Sequence, residues 1–447
     1  MLMMILYALV LVGYGVMTCK ASGSVDAYTV ADRSGSWFSV AVSVTASCVG
    51  GSATIGMVSL AWEKGFPAIW YLGSGAAGLV LLTLFLAKKV RETGVRTLPE
   101  MIRTFIGPGA RPVAGVIIVI AWTAILAAQF SAASSICAAL TGLDRSQALV
   151  WGGGLIIVYT VLGGQRSVIK SDIWQFGLVV LALAGVLGWI MLRHPDAVTG
   201  IRPELFNRDF TISTWNYYML VIGGSYVVCP MLFGRLLSAK DKVHAHRGTL
   251  AAVFGLLATG LVIVLIGLAG RAILPADTAP DAVLTSAMAG LLPPWLGTLL
   301  LLALFSAIIS SADSCLITAA TVFCNDIARQ KSVRGYRIMT VILGLAGLYL
   351  GSRGSSILSL LFAANDVYVS GIVAPVFLAM VFHGRRRVYQ PAVLAGMIAG
   401  GILGLAAAQT GIKTFSFAGM AVSAVLTLAG LWLSGTRTVP PELKTGY

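Results

Sequence analysis

Thirteen stretches of this 447-residue chain read as apolar segments long enough to cross a bilayer. A spanning helix needs about 20 largely apolar residues. The stretches run 2–18, 36–61, 66–87, 112–140, 147–163, 171–192, 213–234, 248–270, 293–323, 336–352, 355–382, 390–409 and 414–434. Three of them, 147–163, 336–352 and 390–409, are short or glycine-rich. Inside hydrocarbon every backbone N–H and C=O must find a partner in the protein, which leaves helices or a closed barrel, and segments of this length are helical. Charged residues are only 11% of the chain and mean hydropathy is +0.89. The expectation is an all-α polytopic membrane protein of about 13 transmembrane helices, partnered by lipid and almost without extramembrane domains.

A net charge of +14 raises the question of nucleic acid, and its distribution answers it. Alternate loops divide the 31 Lys and Arg as 23 on one side and 8 on the other. The rich side holds Lys88/Lys89/Arg91/Arg96/Arg103/Arg111, Arg235/Lys240/Lys242/Arg247, Arg329/Lys331/Arg334/Arg337 and Arg385/Arg386/Arg387. Such asymmetry is topogenic, since cytoplasmic loops retain Lys and Arg. It places the N-terminus outside and the C-terminus in the cytoplasm of a cell inner (plasma) membrane, and excludes nucleic acid as the partner. Met1–Thr18 lacks the basic start of a signal peptide and reads as a first helix. Cys19, Cys48, Cys137, Cys229, Cys315 and Cys324 show neither disulfide nor zinc spacing. No HExxH, GxSxG or comparable constellation occurs, so an enzyme is not expected.

Two segments look interrupted. Ala46-Ser47-Cys48-Val49-Gly50-Gly51-Ser52 puts two glycines in the middle of 36–61, and Gly223-Gly224-Ser225 with Cys229-Pro230 does the same in 213–234. Proline removes a backbone donor and glycine permits non-helical backbone. Such backbone persists in a membrane only against protein or a water-filled cavity. Each interrupted helix opens a group of five spans, and an odd number of spans inverts the second group. Paired broken helices in inverted repeats mark the central site of a transporter. The organisation expected is an extra N-terminal helix (1–20), a first repeat (36–193), a second, inverted repeat (213–383), and two further helices with a short tail (384–447).

Two polar motifs stand out against this background. Ala307-Ile308-Ile309-Ser310-Ser311-Ala312-Asp313-Ser314 sets 307, 310, 311 and 314 on one helical stripe, with Asp313 beside Ser310. A carboxylate at membrane depth costs roughly 3 kcal/mol or more, so it needs a cation or a polar partner. Oxygen ligands without His or Cys suit a hard cation. The competing reading has the serines bonded to their own helix and Asp313 in a wet crevice. The second motif is Gly163-Gly164-Gln165-Arg166-Ser167-Val168-Ile169-Lys170-Ser171-Asp172-Ile173-Trp174-Gln175. There Gly-Gly ends one helix and Asp172 and Gln175 open the next, with Ser171 or Asp172 as an N-cap or as something more.

With these motifs, together with Arg235-Leu-Leu-Ser-Ala-Lys-Asp241 and Ala46-Ser47 followed by Ile55-Gly56-Met57, the chain resembles the sodium:solute symporter family over about residues 25–385. The resemblance implies a LeuT-like fold of inverted five-helix repeats, Na⁺ as coupling ion and a small solute as cargo, with no obligate protein partner. Carried over by position, it implies a Na⁺ site made of carbonyls of Ala46, Val49 and Ala307 with hydroxyls of Ser310 and Ser311. It also points to a second cation site at Asp172, Ser310, Asp313 and Ser314, where Asp313 replaces a serine of the sialic acid branch. Either a second cation binds there, or repulsion between the carboxylates leaves one protonated.

The solute is less defined. Leu72, Cys229 and Met231 stand where the sugar branch has its recognition residues, which argues against sugar. Tyr226 and Pro230 match the proline branch, whose tryptophan is Ile222 here. An amino acid or carboxylate is expected, with Gln129, Tyr226, Cys229, Pro230 and Asp366 as candidate solute residues. Asn365-Asp366 reads equally well as a helix–helix hydrogen-bonding pair.

Overall fold

A computed structural model describes residues 2–19, 22–353, 356–382 and 388–434. The basic run Arg385–Arg387 and the tail from residue 435 lie outside the described residues. The described chain is helical, with two isolated bridge pairs and no sheet. Its long helices are α1 (Leu2–Cys19), α2 (Trp37–Cys48 with Ser52–Lys64), α3 (Phe66–Glu92), α4 (Ala110–Thr141), α5 (Arg145–Arg193) and α6 (Ile212–Ser238). They continue as α7 (Lys242–Ile273), α8 (Pro294–Ile327), α9 (Val333–Gly351), α10 (Ile357–Phe382), α11 (Gln390–Thr410) and α12 (Lys413–Leu433).

Ten continuous helices among the described residues are long and apolar enough to span, or eleven with the bent pair of α2. That is fewer than the thirteen expected for two reasons. The apolar stretch of the N-terminal helix is short, and the stretches 147–163 and 171–192 run together as α5. A straight helix of 49 residues would reach about 74 Å, over twice the hydrocarbon thickness. Instead α5 turns at Gly164, whose φ of 59° and ψ of −166° are non-helical. The Tyr159 hydroxyl then donates to Ser171 Oγ at 2.7 Å, and Ser167 Oγ donates to Tyr159 at 3.0 Å. Residues twelve apart meet side by side, so α5 is a hairpin of two legs.

Both expected interruptions form. The halves of α2 meet at 64° across Val49–Gly51. In α6 the helix stops at Val227; Val228 and Cys229 are non-helical, and Pro230 begins the next nine-residue stretch. Pro230 suits that first position because its missing N–H has no intrahelical partner there anyway.

Burial sorts centre from periphery. The most apolar window of α8 is 94% buried, against 28% for α9 and 33% for α12. The serine–aspartate helix therefore runs through the middle, packed against α5 and α4, while α7 packs on α2 and α3. Ion pairs link segments across the face carrying the basic loops: Arg111–Asp326 at 2.7 Å, Arg96–Asp26 at 2.6 Å, Arg166–Asp32 at 2.9 Å and Lys242–Glu92 at 2.6 Å. On that face the Arg96 guanidinium holds the Asp26 carboxyl below its ordinary range. Asp241 caps α7 by accepting from the N–H groups of Val243 and His244, and those bonds with the His244 ring lower its pKa to about 2.

Candidate functional site

The site begins where α2 breaks. Val49 leaves the helix with φ −96° and ψ 64°, which frees carbonyls of the preceding turn. Ser311 of α8 takes them up: its hydroxyl donates to Ser47 O at 3.0 Å and lies 3.5 Å from Ala46 O. Gly50 makes this approach possible. A Cβ there would fall 2.4 Å from Ser311 Oγ and 2.8 Å from Gln129 Oε1. Gln129 in turn accepts from Gly51 N–H at 2.9 Å, which ties the break to α4. Ala46, Val49, Ala307, Ser310 and Ser311 are all buried at this crossing of α2 and α8. The serines of the stripe thus do not all bond within their own helix. Ser314 donates to Ser310 O at 2.5 Å, as in the local reading, while Ser310 and Ser311 reach other helices.

Ser310 turns to the second set. Its hydroxyl donates to Asp172 Oδ1 at 2.5 Å, and Ser43 donates to Asp172 Oδ2. Asp172 lies within the second leg of α5, past Gly164, so it is not the helix N-cap that the sequence allowed. Its cationic partner is the first residue of the Arg235–Asp241 motif. Arg235 of α6, fully buried, places Nη2 3.7 Å from Asp172 Oδ2 and donates to Ser43 Oγ at 3.3 Å and to Ser314 Oγ. A buried guanidinium with a buried carboxylate offsets two desolvation costs that neither could bear alone. Asp313 sits one residue before Ser314, whose Oγ lies 3.2 Å from Asp313 Oδ1. Asp313 Oδ2 is buried without a hydrogen-bond partner among the described residues.

The extra N-terminal helix also enters here. Tyr7 of α1 lies 2.5 Å from Ser306 Oγ of α8, and Gln175 Nε2 donates to its hydroxyl at 3.3 Å. Tyr7 and Ser43 carried no specific signal of this role in the sequence, since the residues they bond lie over a hundred positions away. The one available signal was polar atoms in otherwise apolar helices.

Beside the Ser311 crossing, a cavity lies between the two breaks. Gln129, Tyr226 and Cys229 line it with Asn365, Trp122 and Tyr71. Two of the expected solute residues are elsewhere. Asp366 accepts from Tyr217 at 3.0 Å and from Ser416 at 2.6 Å, a helix–helix role facing α6 and α12. Its neighbour Asn365 faces the cavity, since adjacent helical residues point about 100° apart. Pro230 begins the half-helix beneath the cavity, and the lining comes from Met231 and Leu232 after it.

Comparison with known proteins decides the family. The sodium:solute symporter family profile matches residues 28–400. The chain belongs to the sodium:solute symporter family. It is 26% identical over 432 residues to the sodium/pantothenate symporter of Haemophilus influenzae, covering 87% of this chain and 86% of that one. It is 25% identical to a high-affinity choline transporter of Torpedo marmorata, covering 81% and 66%. It is also 24% identical to a sodium/proline symporter of Staphylococcus aureus, covering 75% and 69%. Among solved structures, a Na⁺-coupled sialic acid symporter superposes with a TM-score of 0.80 at 16% identity, covering 97% of this chain and 98% of that one. A nucleobase-cation-symport-1 transporter superposes at 0.63 and 14% identity, covering 91% and 94%. The fold is therefore that of the LeuT-like sodium symporters. Family membership makes the chain a multi-pass, sodium-coupled solute symporter and not an enzyme.

Proposed function

We propose that this symporter carries a small organic acid or amino-acid-like solute into the cell, with Na⁺ bound where α2 breaks against α8. The observation that carries the reading is the Ser311 hydroxyl lying against the Ala46 and Ser47 carbonyls. Carbonyls of Ala46, Val49 and Ala307 with hydroxyls of Ser310 and Ser311 make a neutral, all-oxygen shell, the donor set that a hard monovalent cation takes. Asp172, Ser310, Asp313 and Ser314 form the second cation site of the proposal, supported by the unpartnered Asp313 Oδ2. The excess of Lys and Arg on one set of loops supports an N-terminus outside and a C-terminus in the cytoplasm of the plasma membrane. The two broken helices support repeats of 36–193 and 213–383, followed by two C-terminal helices.

The test is uptake into proteoliposomes of labelled pantothenate, proline and choline, the solutes named for its relatives, under imposed Na⁺ or K⁺ gradients. Uptake should follow the Na⁺ gradient alone. Ser311→Ala should raise the Na⁺ concentration for half-maximal uptake about tenfold or more, through loss of one ligand. An unchanged Na⁺ dependence would remove Ser311 from the site. For the second site, Asp313→Asn should change the Na⁺ stoichiometry, and an unaltered stoichiometry would make Asp313 a bystander.

A further inference from the structure

The lining of the cavity fixes the kind of solute more narrowly than family membership does. Among the described residues no Asp, Glu, Lys, Arg or His lines it. Its polar character comes from hydroxyls, thiols, the indole N–H of Trp122, unpartnered among those residues, and two carboxamides whose orientations are set by the backbone. Gln129 Oε1 is engaged by Gly51 N–H at 2.9 Å, so Gln129 presents its NH₂ group, a donor, to the cavity. Asn365 Nδ2 is engaged by Leu361 O at 3.0 Å, so Asn365 presents its carbonyl, an acceptor. The cavity therefore has a donor pole next to Ser311 and an acceptor pole on α10.

An ammonium group can be held without a carboxylate when several main-chain carbonyls converge on it, and broken helices are where such carbonyls are found. Here four of them already accept at least one hydrogen bond, which leaves each with at most one free lone pair. Ser47 O accepts from Ser311, Gly50 O from the N–H and hydroxyl of Thr54, Ile222 O from Ser225, and Val228 O from Tyr368. An entering ammonium would bring three donors and full positive charge to a wall where Asn365 is the amide acceptor left over. Burying an underpartnered charge costs several kcal/mol. A hydroxyl brings one donor and no charge, and suits that acceptor. At the other pole, a carboxylate meets the Gln129 NH₂ beside the proposed Na⁺ position, the one place where this wall gains positive charge.

We propose that the solute is a small carboxylate bearing a hydroxyl, or an equivalent neutral N–H, in place of a free ammonium, with its carboxylate toward Gln129 and its donor toward Asn365. This rests on the symporter reading for the positive pole only.

The experiment uses the purified full-length protein and matched pairs that differ only in the group concerned. These are 2-hydroxyisocaproate against leucine and 3-phenyllactate against phenylalanine, with choline as a cationic control. Thermal unfolding is followed in Na⁺ and in K⁺. At least one hydroxy acid should raise the melting temperature in Na⁺, and should bind at least tenfold more tightly than its amino acid. Asn365→Asp should invert that preference by supplying the missing anion. Gln129→Glu should abolish the hydroxy-acid shift by repelling its carboxylate, while a cooperative unfolding transition without solute reports a folded protein. A larger shift with the amino acids or choline, or no shift with either hydroxy acid, overturns the proposal. A hydroxy-acid shift of equal size in K⁺ leaves the solute class standing and overturns the sodium reading.

Discussion

At the scale of single residues, the site depends on contacts with only a few tenths of an ångström to spare. Gly50→Ala would drive a methyl group into Ser311 and Gln129, so Na⁺-dependent uptake should fall by at least an order of magnitude while the protein still reaches the membrane. Asp172→Asn takes the anion from a fully buried Arg235, and breaking such a pair costs about 3–5 kcal/mol. The melting temperature in detergent should drop clearly, and Asp172→Asn combined with Arg235→Met should recover much of it, because no uncompensated charge remains. A double variant no more stable than the single one would deny the pair that role. The serine stripe, the Gly-Gly break and the Gly163–Gln175 motif were all legible in the sequence as chemistry. What was not legible was which partner each group takes. Asp366 shows why: its residue type suggested a cavity group, yet one step along a helix turns it away from the cavity that Asn365 faces.

At the scale of elements, the turn within α5 does the most to position the site. Gly164 adopts a φ of 59°, and a Cβ there would fall 2.6 Å from the ring of Tyr28. Gly164→Ala should therefore destabilise by about 1–3 kcal/mol from backbone strain, plus the displacement of Tyr28. Variable-temperature circular dichroism of both forms measures it. Helix starts matter in the same way. Asp241 is held ionised by the bonds it accepts at the head of α7, and its pKa is depressed to about 2. A depressed carboxylate contributes stability that is present above its unfolded pKa, near 4, and is lost as pH falls through the folded value. The α7 cap should hold unchanged from neutral pH to about 4 and weaken only toward pH 2; Asp241→Asn should flatten that acid limb of the unfolding curve. Periodicity and hydropathy located nearly every helix, and the two stretches they read at 147–163 and 171–192 are the two legs of α5. What they do not show is how tightly the legs join, because that is set by a single dihedral pair at Gly164.

At the scale of the whole molecule, ion pairs tie many different segments together across the basic face, with Arg111–Asp326 the most buried of them. Alternating access requires that this face open. Asp326→Ala should shift the population toward the open form, read as faster modification of a retained Cys229 by a membrane-impermeant thiol reagent from the basic side. An unchanged rate would mean that the closure lies elsewhere. The apolar count and the charge bias were enough to foresee a polytopic membrane protein, and the paired breaks a transporter; these ion pairs were not foreseeable, because each joins residues far apart in sequence. The short first helix deserves a different description from the one its position invites. Through Tyr7 it supplies the hydroxyl that Ser306 and Gln175 would otherwise lack, so it works as a cork in the side of the central helix. Removing it would strip the Ser306 hydroxyl and the Gln175 carboxamide of their shared partner and leave two polar groups bare on the flank of α8.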